Sequence, residues 1–417
     1  MTQNTHIMNM NKQESIQSNA IDLSFCIPTY NRARYLNCLL DFFLKTAEKL
    51  NFNYEIIISN NASSDDTDAV IQRYINTLPI KYFKQNFNIG AEKNLKYAAK
   101  HASGELLMYL ADDDLLELNG LNSSVNKMLN NPDAAIIYAP WIIKSLVEEH
   151  DENLFYQTDN ICIVKKDYLN LARHIINNNI WSEIFIARTN IYNSCNATSG
   201  KLAYWAFTMP CEYINFGNII YSNEPFYISI SSYFIDDVRQ QAGHEETEYS
   251  WDRYRGGLEF LLGRCVYALH KEEEIYLRKK IDQIILDRMI VALRLRINTN
   301  KDAFESYQLA SRIRGLGGEA YLPINMLLIR SMAILYYLTQ DIDLLEDIRN
   351  IYLLGDYDDS IVLKIKSLTD LNIQCGMDLS SIDLNTLVLL KGNSVLDLNL
   401  HPSVKVVSEA QLLEKFY

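Results

Sequence analysis

The sequence has 417 residues, and its 39 Lys and Arg against 52 Asp and Glu give a net charge of −13. This balance excludes the clustered positive charge that non-specific nucleic-acid binding requires, so we expect no nucleic acid among its partners. Hydrophobic residues make up 48% of the chain, which excludes intrinsic disorder. The seven cysteines form no C-x-x-C pair, which argues against a disulfide framework or a thiolate zinc site and predicts a reduced, cytoplasmic protein.

The first 140 residues alternate strand-like and helix-like segments. Residues 1–20 are polar and without periodicity, and they predict a flexible leader. Helical spacing of apolar residues follows the first strand, at Leu36, Leu39, Leu40, Phe43, Leu44 and Ala47. The apolar runs that predict strands are Leu23 to Ile27, Tyr54 to Ser59, Ile80 to Phe83, Glu105 to Leu110 and Ala134 to Tyr138. Such alternation predicts an α/β fold with a mainly parallel sheet.

The remaining chain divides into two regions. Strand-like runs continue at 161–164, 184–187, 219–221 and 226–230, so we assign residues 21–250 to one α/β domain. From Trp251 the pattern becomes helical, with strand-like runs again at 387–390 and 404–407. We therefore assign residues 251–417 to a mostly helical C-terminal domain.

An acidic motif, Ala111-Asp112-Asp113-Asp114, directly follows the fourth predicted strand. Three adjacent carboxylates repel one another unless positive charge lies nearby. A divalent metal that holds a diphosphate suits such a site, because hard oxygen ligands favour Mg²⁺ or Mn²⁺. The alternative is a solvated acidic turn that caps the next helix.

Three further polar clusters follow strands of the same predicted sheet. They span Pro28 to Arg32, Ser59 to Asp65 and Asn86 to Asn94. Because ligands bind at the carboxyl ends of strands in open α/β sheets, these clusters and the acidic motif could together line a nucleotide pocket. Each cluster taken alone is also compatible with ordinary turn chemistry.

The four segments in order, CIPTYNRARYL, EIIISNNASSDDT, NFNIGAEKNL and GELLMYLADDDLL, resemble family 2 glycosyltransferases of the GT-A fold. The resemblance covers about residues 21–140 well and extends more loosely to about 240, and it is nearest to bacterial polysaccharide enzymes, including abequosyltransferase-like members. It implies inverting transfer of a sugar from a nucleotide-diphospho-sugar to a hydroxyl of a glycan or lipid-linked acceptor. It also implies Mg²⁺ or Mn²⁺ as the cofactor.

The resemblance implies the donor-binding and metal-binding residues. Asp113 and Asp114 would hold the metal with His244 as a third ligand, and Arg239 would neutralise the leaving diphosphate. The alternatives are that His244 is a surface histidine and that Arg239 forms a surface ion pair. The other implied donor-binding residues are Pro28, Thr29, Tyr30, Arg32, Asn60, Ala62, Asn88, Gly90, Asn94 and Asp112.

Asn60 departs from the pattern, because the family usually has there the Asp that binds the base. An amide both donates and accepts hydrogen bonds, so Asn60 could shift base selectivity towards cytosine. The alternative is that the neighbouring Asn61 or backbone groups read uracil and Asn60 only shapes the turn.

The catalytic base is implied less directly. The family usually supplies an Asp from an ED-like motif, and this sequence keeps the tail that follows it, Asn215 to Phe226, but not the ED pair. Glu212 and Asp237 are our candidates, with Asp236 and Glu183 as alternatives. Glu212 is also compatible with an ordinary acid on a helix surface.

Two other functions stay open on the sequence alone: a nucleotidyltransferase and a non-catalytic GT-A-like binding module. The apolar stripes beyond residue 250 could pack on the catalytic domain, form a homo-oligomer or contact the membrane. The basic run Leu277-Arg278-Lys279-Lys280 is compatible with a protein at the inner face of the membrane, and a solvated helix face is the alternative.

Overall fold

A computed structural model describes residues 20–147, 153–195, 202–236, 247–299, 302–339, 342–366, 369–377, 379, 382–392 and 400–414. The predicted leader therefore lies almost wholly outside the described residues, as do Asp237, Arg239 and His244. The chain forms two compact units. The first comprises Met1–Arg239 and Gly257–Leu277, and the second comprises Gln240–Gly256 and Arg278–Tyr417. The domain boundary at residue 250 stays a prediction.

Twelve strands lie in the first unit. They are β1 (Leu23–Thr29), β2 (Tyr54–Asn60), β3 (Ile80–Lys84), β4 (Leu106–Tyr109), β5 (Leu115–Leu116), β6 (Ala134–Tyr138), β7 (Ile142–Ser145), β8 (Asn153–Leu154), β9 (Ile161–Ile163), β10 (Phe185–Arg188), β11 (Asn218–Tyr221) and β12 (Tyr227–Ser232). Seven helices alternate with them. They are α1 (Ala33–Thr46), α2 (Thr67–Tyr74), α3 (Ala91–Lys100), α4 (Leu118–Leu129), α5 (Tyr168–Asn177), α6 (Thr189–Ser194) and α7 (Trp205–Tyr213).

Eight of these strands form one sheet in the order β3-β2-β1-β4-β10-β6-β11-β9. Strands β3, β2, β1 and β4 are parallel neighbours, and β11 is parallel to β6. Strand β10 is antiparallel to β4 and β6, and β9 is antiparallel to β11. A second sheet has the order β5-β12-β7-β8. The predicted α/β fold with a mainly parallel sheet is confirmed.

The parallel strands are continuous apolar runs because helices cover both faces of a parallel sheet. Strand β6 is buried along its whole length, and β1 and β2 each have one residue that is only partly buried. On α1, four of the six residues in the predicted apolar stripe are buried: Leu36, Leu39, Leu40 and Phe43. Leu44 differs from the prediction, since its side chain is 48% exposed.

One buried carboxylate joins the amino ends of the four parallel strands. Glu55 on β2 accepts hydrogen bonds from the Ser24 hydroxyl on β1 at 2.6 Å and from the Ser103 amide before β4 at 2.7 Å. Lys81 on β3 lies 2.5 Å from its second oxygen. Burial raises the pKa of Glu55, but the bonds from Lys81, Ser24 and Ser103 outweigh burial, so the net pKa is lowered. The carboxylate thus stabilises the folded sheet in its charged form.

The second unit contains four more strands: β13 (Asn350–Leu354), β14 (Asn372–Gly376), β15 (Thr386–Leu390) and β16 (Lys405–Ser408). They form an all-parallel sheet in the order β14-β13-β15-β16. The strand-like runs predicted at 387–390 and 404–407 are therefore confirmed. The predicted mostly helical character of this region is confirmed, and the region also contains β13 and β14, which were not foreseen.

Helices account for most of the chain between residues 251 and 338. They are α8 (Trp251–Gly263), α9 (Lys271–Asn298), α10 (Ala303–Gly315) and α11 (Met326–Leu338), and three short helices follow: α12 (Ile342–Leu345), α13 (Asp359–Lys366) and α14 (Glu409–Glu414). Ile334 and Leu338 of α11 pack in one core cluster with Ile351 and Leu387 of the second unit's sheet. In the described part of the chain, no helix has the length and apolar character needed to span a bilayer.

We expect Glu55→Gln to lower the free energy of unfolding by about 1–3 kcal/mol at neutral pH, because it removes a buried charge that Ser24, Lys81 and Ser103 stabilise. Because folding lowers the pKa of Glu55, its carboxylate stabilises the folded state at pH values above the unfolded pKa of 4.5. This stabilisation is lost as the pH falls through the folded pKa. Urea unfolding of wild type and variant between about pH 5 and about pH 3 measures this, and the two curves should converge on acidification. The exposed Glu48→Gln is the control, and equal stability of Glu55→Gln and wild type at neutral pH would contradict the account.

Candidate active site

The candidate site lies where β1, β2, β3 and β4 end, because these parallel strands all point their carboxyl ends to the same edge of the sheet. The four polar clusters predicted from the sequence follow these strands. The structure therefore brings the clusters together at one edge. We call this the donor edge, formed by residues 28–32, 59–65, 86–94 and 111–114.

Hydrogen bonds join the loop after β1 to the loop after β2. The Asn31 amide donates to the Ser63 hydroxyl at 2.9 Å, and the Ser64 amide donates to the Asn31 side-chain oxygen at 2.8 Å. The backbone φ of Asn31 is +52°, a left-handed conformation that Asn tolerates better than most residues. Tyr30 beside it is 45% exposed, so its ring is accessible at the donor edge. Asn31 was not among the predicted site residues, and its only signal in the sequence is that it is an Asn in a turn.

Asn60 is fully buried, and its side chain is held on both sides. Its oxygen accepts from the Ser63 amide at 2.8 Å, and its nitrogen donates to Asp68 at 3.1 Å and to the Tyr82 hydroxyl at 2.9 Å. Both amide protons are thus engaged inside the protein. The structure does not place Asn60 where it could read a base, so the turn-shaping alternative describes its geometry.

Three further amides fix the loop before α3. Asn61 donates to the Asn88 side chain at 2.8 Å and accepts from the Ile89 amide at 2.8 Å. Asn94 is buried and exchanges hydrogen bonds with Ser59, its oxygen accepting from the hydroxyl and its nitrogen donating to the carbonyl, both at 2.7 Å. Gly90 precedes α3 with a φ of +88°, which few other residues adopt. Asn61, Asn88, Gly90 and Asn94 therefore shape the donor edge.

The acidic turn after β4 holds its three carboxylates in different ways. Asp113 accepts from the Arg32 guanidinium at 3.1 Å, which joins the turn to the loop after β1. Asp114 accepts from the Tyr227 hydroxyl and the Ile230 amide of β12, both at 2.8 Å. Asp112 is buried, and burial together with the charge of Asp113 raises its pKa above the ordinary carboxyl value, against the nearby Thr29 and Arg32. Asp114 thus braces the turn on β12.

Metal ligation was predicted for Asp113, Asp114 and His244, but His244 lies outside the described residues. Within the described ranges, no group of three or more His, Cys, Asp or Glu side chains has an arrangement that could hold a metal ion. Both oxygens of Asp114 accept hydrogen bonds from β12. The other two carboxylates of the acidic turn are those of Asp112 and Asp113.

A cavity of about 730 Å³ opens beside the donor edge. Pro28 and Tyr109, at the ends of β1 and β4, form part of its wall, and α3, α6 and α7 form the rest. The lining side chains are Pro28, Ala91, Glu92, Leu95, Lys96, Lys100, Tyr109, Phe185, Tyr192, Asn193, Cys195, Trp205, Met209 and Tyr213. Most of them are apolar or aromatic, as in typical small-molecule sites.

The candidate bases occupy different places. Glu212 lies on α7 but does not line the cavity, and Asp237 is outside the described residues. Asp236 pairs with Arg34 at 3.0 Å, and its side chain is 74% exposed. Glu183 accepts from the Tyr204 hydroxyl at 3.2 Å. The structure therefore brings none of the described candidate bases into the cavity wall.

Comparison with known proteins finds similarity in the first part of the chain. Residues 24–186 match the model of "Glycosyl transferase family 2". Abequosyltransferase RfbV of Salmonella typhimurium is 29% identical over 185 residues, which cover 44% of this chain and 50% of that protein. GalNAc(5)-diNAcBac-PP-undecaprenol beta-1,3-glucosyltransferase of Campylobacter jejuni is 37% identical over 108 residues, which cover 25% of this chain and 34% of that protein. This chain thus spans half or less of the length of these curated relatives.

Among solved structures, S. aureus TarS 1-349 in complex with UDP-GlcNAc is similar with a TM-score of 0.42 and 17% identity. The alignment covers 72% of this chain and 89% of that one.

We expect Asn60→Asp to lower the free energy of unfolding by about 1–2 kcal/mol, because it places a second carboxylate against Asp68 in a buried site. The ratio of the dissociation constants for UDP and CDP should stay the same, because Asn60 is buried among protein partners. Chemical unfolding and calorimetric titration measure the two effects, with the exposed Asn51→Asp as control. A changed UDP to CDP ratio would show that Asn60 reads the base after all.

Proposed function

We propose, from the match of residues 24–186 to the model of glycosyltransferase family 2, that the protein is a bacterial glycosyltransferase that binds a nucleotide-diphospho-sugar at the donor edge. The donor sugar would pass to a hydroxyl of a glycan or lipid-linked acceptor in surface polysaccharide synthesis. The observation that carries the proposal is the meeting of four polar loops, one of them triply acidic, at the carboxyl edge of a parallel sheet. This is where open α/β sheets bind nucleotides.

The donor edge offers suitable groups for each part of a nucleotide-diphospho-sugar. The exposed ring of Tyr30 can stack on a base, and Arg32 can pair with a phosphate as it now pairs with Asp113. Pro28 lies both at the end of β1 and in the cavity wall, so a sugar that follows the diphosphate would reach the cavity. The fixed loops support this assignment, because preorganised groups bind a ligand with less ordering cost.

Two carboxylates fit Mg²⁺ or Mn²⁺. The Asp112 carboxyl is buried beside the charge of Asp113, and the Thr29 hydroxyl next to it is also buried. Hard oxygen groups in this state are the ligands that a divalent cation favours. Asp112 and Asp113 would therefore hold the ion, which when bound would supply positive charge to the leaving diphosphate. Asp114 would keep the turn in place through β12.

The relatives support the acceptor class. One is named for a glycan on diphospho-undecaprenol and another for abequosyl transfer. We propose by analogy that this protein also extends a glycan, either lipid-linked or polymeric. With a lipid-linked acceptor, it would work at the membrane surface.

We expect Asp113→Asn to weaken metal-dependent binding of the nucleotide-diphospho-sugar at least about tenfold while the unfolding midpoint stays close to that of wild type. The physical reason is that the substitution removes one of the two carboxylates proposed to hold the ion. Isothermal titration with UDP-, CDP- and GDP-sugars, with Mn²⁺ and with EDTA, measures the effect.

The control is Asp41→Asn, which removes an ion pair with Lys45 on α1. This control should leave donor affinity unchanged. Donor affinity that neither EDTA nor Asp113→Asn alters would contradict the proposed metal site.

A further inference from the structure

Sugar transfer with inversion requires a group that takes the proton of the acceptor hydroxyl as the anomeric carbon is attacked. That group must face the space that the acceptor occupies. The cavity beside the donor edge provides this space, because it shares Pro28 and Tyr109 with the ends of β1 and β4.

Helix α7 brings no carboxylate to the cavity. Its lining residues are Trp205, Met209 and Tyr213, each four positions after the last, which is the spacing of one helix face. Glu212, the acid of α7, is not among the residues that line the cavity. The helix that the family resemblance points to therefore presents aromatic and thioether side chains where a base would be needed.

The other acids near the donor edge are held by partners. Asp113 pairs with Arg32, and Asp114 accepts two hydrogen bonds from β12. Asp236 pairs with Arg34 on α1 and is mostly exposed. These contacts give each carboxylate a role in holding the loops together.

Glu92 differs from all of these, because it alone carries a carboxylate among the described residues that line the cavity. It is the second residue of α3, directly after the N-x-G segment that forms part of the donor edge. Lys96 lies one turn later on the same cavity wall, with its ammonium 3.2 Å from the Glu92 carboxylate. The ion pair directs the charged carboxylate along the wall and leaves its second oxygen for a hydroxyl.

We propose that Glu92 is the catalytic base of this transferase and that the cavity holds the acceptor. This inference rests on the proposed function. In the step, the acceptor oxygen forms a bond to the anomeric carbon while the bond from that carbon to the diphosphate breaks. The electron pair of the broken bond leaves with the nucleoside diphosphate, and the proton of the acceptor hydroxyl moves to a Glu92 oxygen. Lys96 acts as a positioning residue.

The test uses release of nucleoside diphosphate from UDP-, CDP- and GDP-linked sugars, with water as the acceptor, so that no acceptor needs to be known. With the sugar nucleotide that wild type turns over fastest, Glu92→Gln should lower kcat by about 10²–10⁴-fold while the dissociation constant for the nucleotide changes less than about twofold. Glu92→Asp should restore part of the rate.

Lys96→Gln is the matched control, because it breaks the same ion pair and keeps the carboxylate. It should lower kcat less than about tenfold, since an exposed pair within a helix contributes little. A Glu92→Gln rate within about threefold of wild type, or equal to that of Lys96→Gln, would overturn the assignment of the base and leave the transferase proposal intact. Absence of release from every sugar nucleotide by wild type would overturn both.

Discussion

Three consecutive carboxyl groups at the end of the buried strand β4 determine how the loop after β1 and strand β12 are held. Asp112, Asp113 and Asp114 could not remain together in a low-dielectric setting without compensation. The Arg32 guanidinium pairs with Asp113, and two hydrogen-bond donors from β12 bind Asp114. Burial favours the protonated form of Asp112. The loop after β1 and the strand β12 are therefore fixed by the same turn that would meet a cation or a diphosphate.

Buried side-chain amides hold other segments of the donor edge in place. The Asn60 side chain joins the end of β2 to β3, Asn61 joins the loop after β2 to the loop before α3, and Asn94 joins α3 to β2. Because each amide both donates and accepts, a few side chains satisfy many backbone groups without adding charge. The result is a set of polar loops that need little rearrangement to receive a nucleotide.

The sequence predicted those parts of the structure that depend on local pattern. The strands β1, β2 and β6 agree with the apolar runs to within two residues, because a buried parallel strand must be apolar on both faces. The four polar clusters were also predicted to share one edge, since parallel strands align their carboxyl ends.

Local sequence patterns did not predict side-chain contacts between residues that lie far apart in the chain. The hydrogen bond from Tyr227 to Asp114 joins residues 113 positions apart, and no pattern in either segment predicts it. The contacts of Asn60 were not foreseen for the same reason: Tyr82 and Asp68, which hold its amide, lie on β3 and α2. Glu92 carried no motif of its own, and only the cavity wall distinguishes it from an ordinary acid in the first turn of a helix.

The central claim is that the donor edge binds a nucleotide-diphospho-sugar, and hydrogen–deuterium exchange tests it most directly. With a saturating sugar nucleotide and Mn²⁺, the account predicts slower amide exchange in residues 28–32, 59–65, 86–94 and 111–114, and unchanged exchange at the amino ends of the same strands around Glu55. Unchanged exchange in all four segments, or protection confined to the sheet of the second unit, would contradict it.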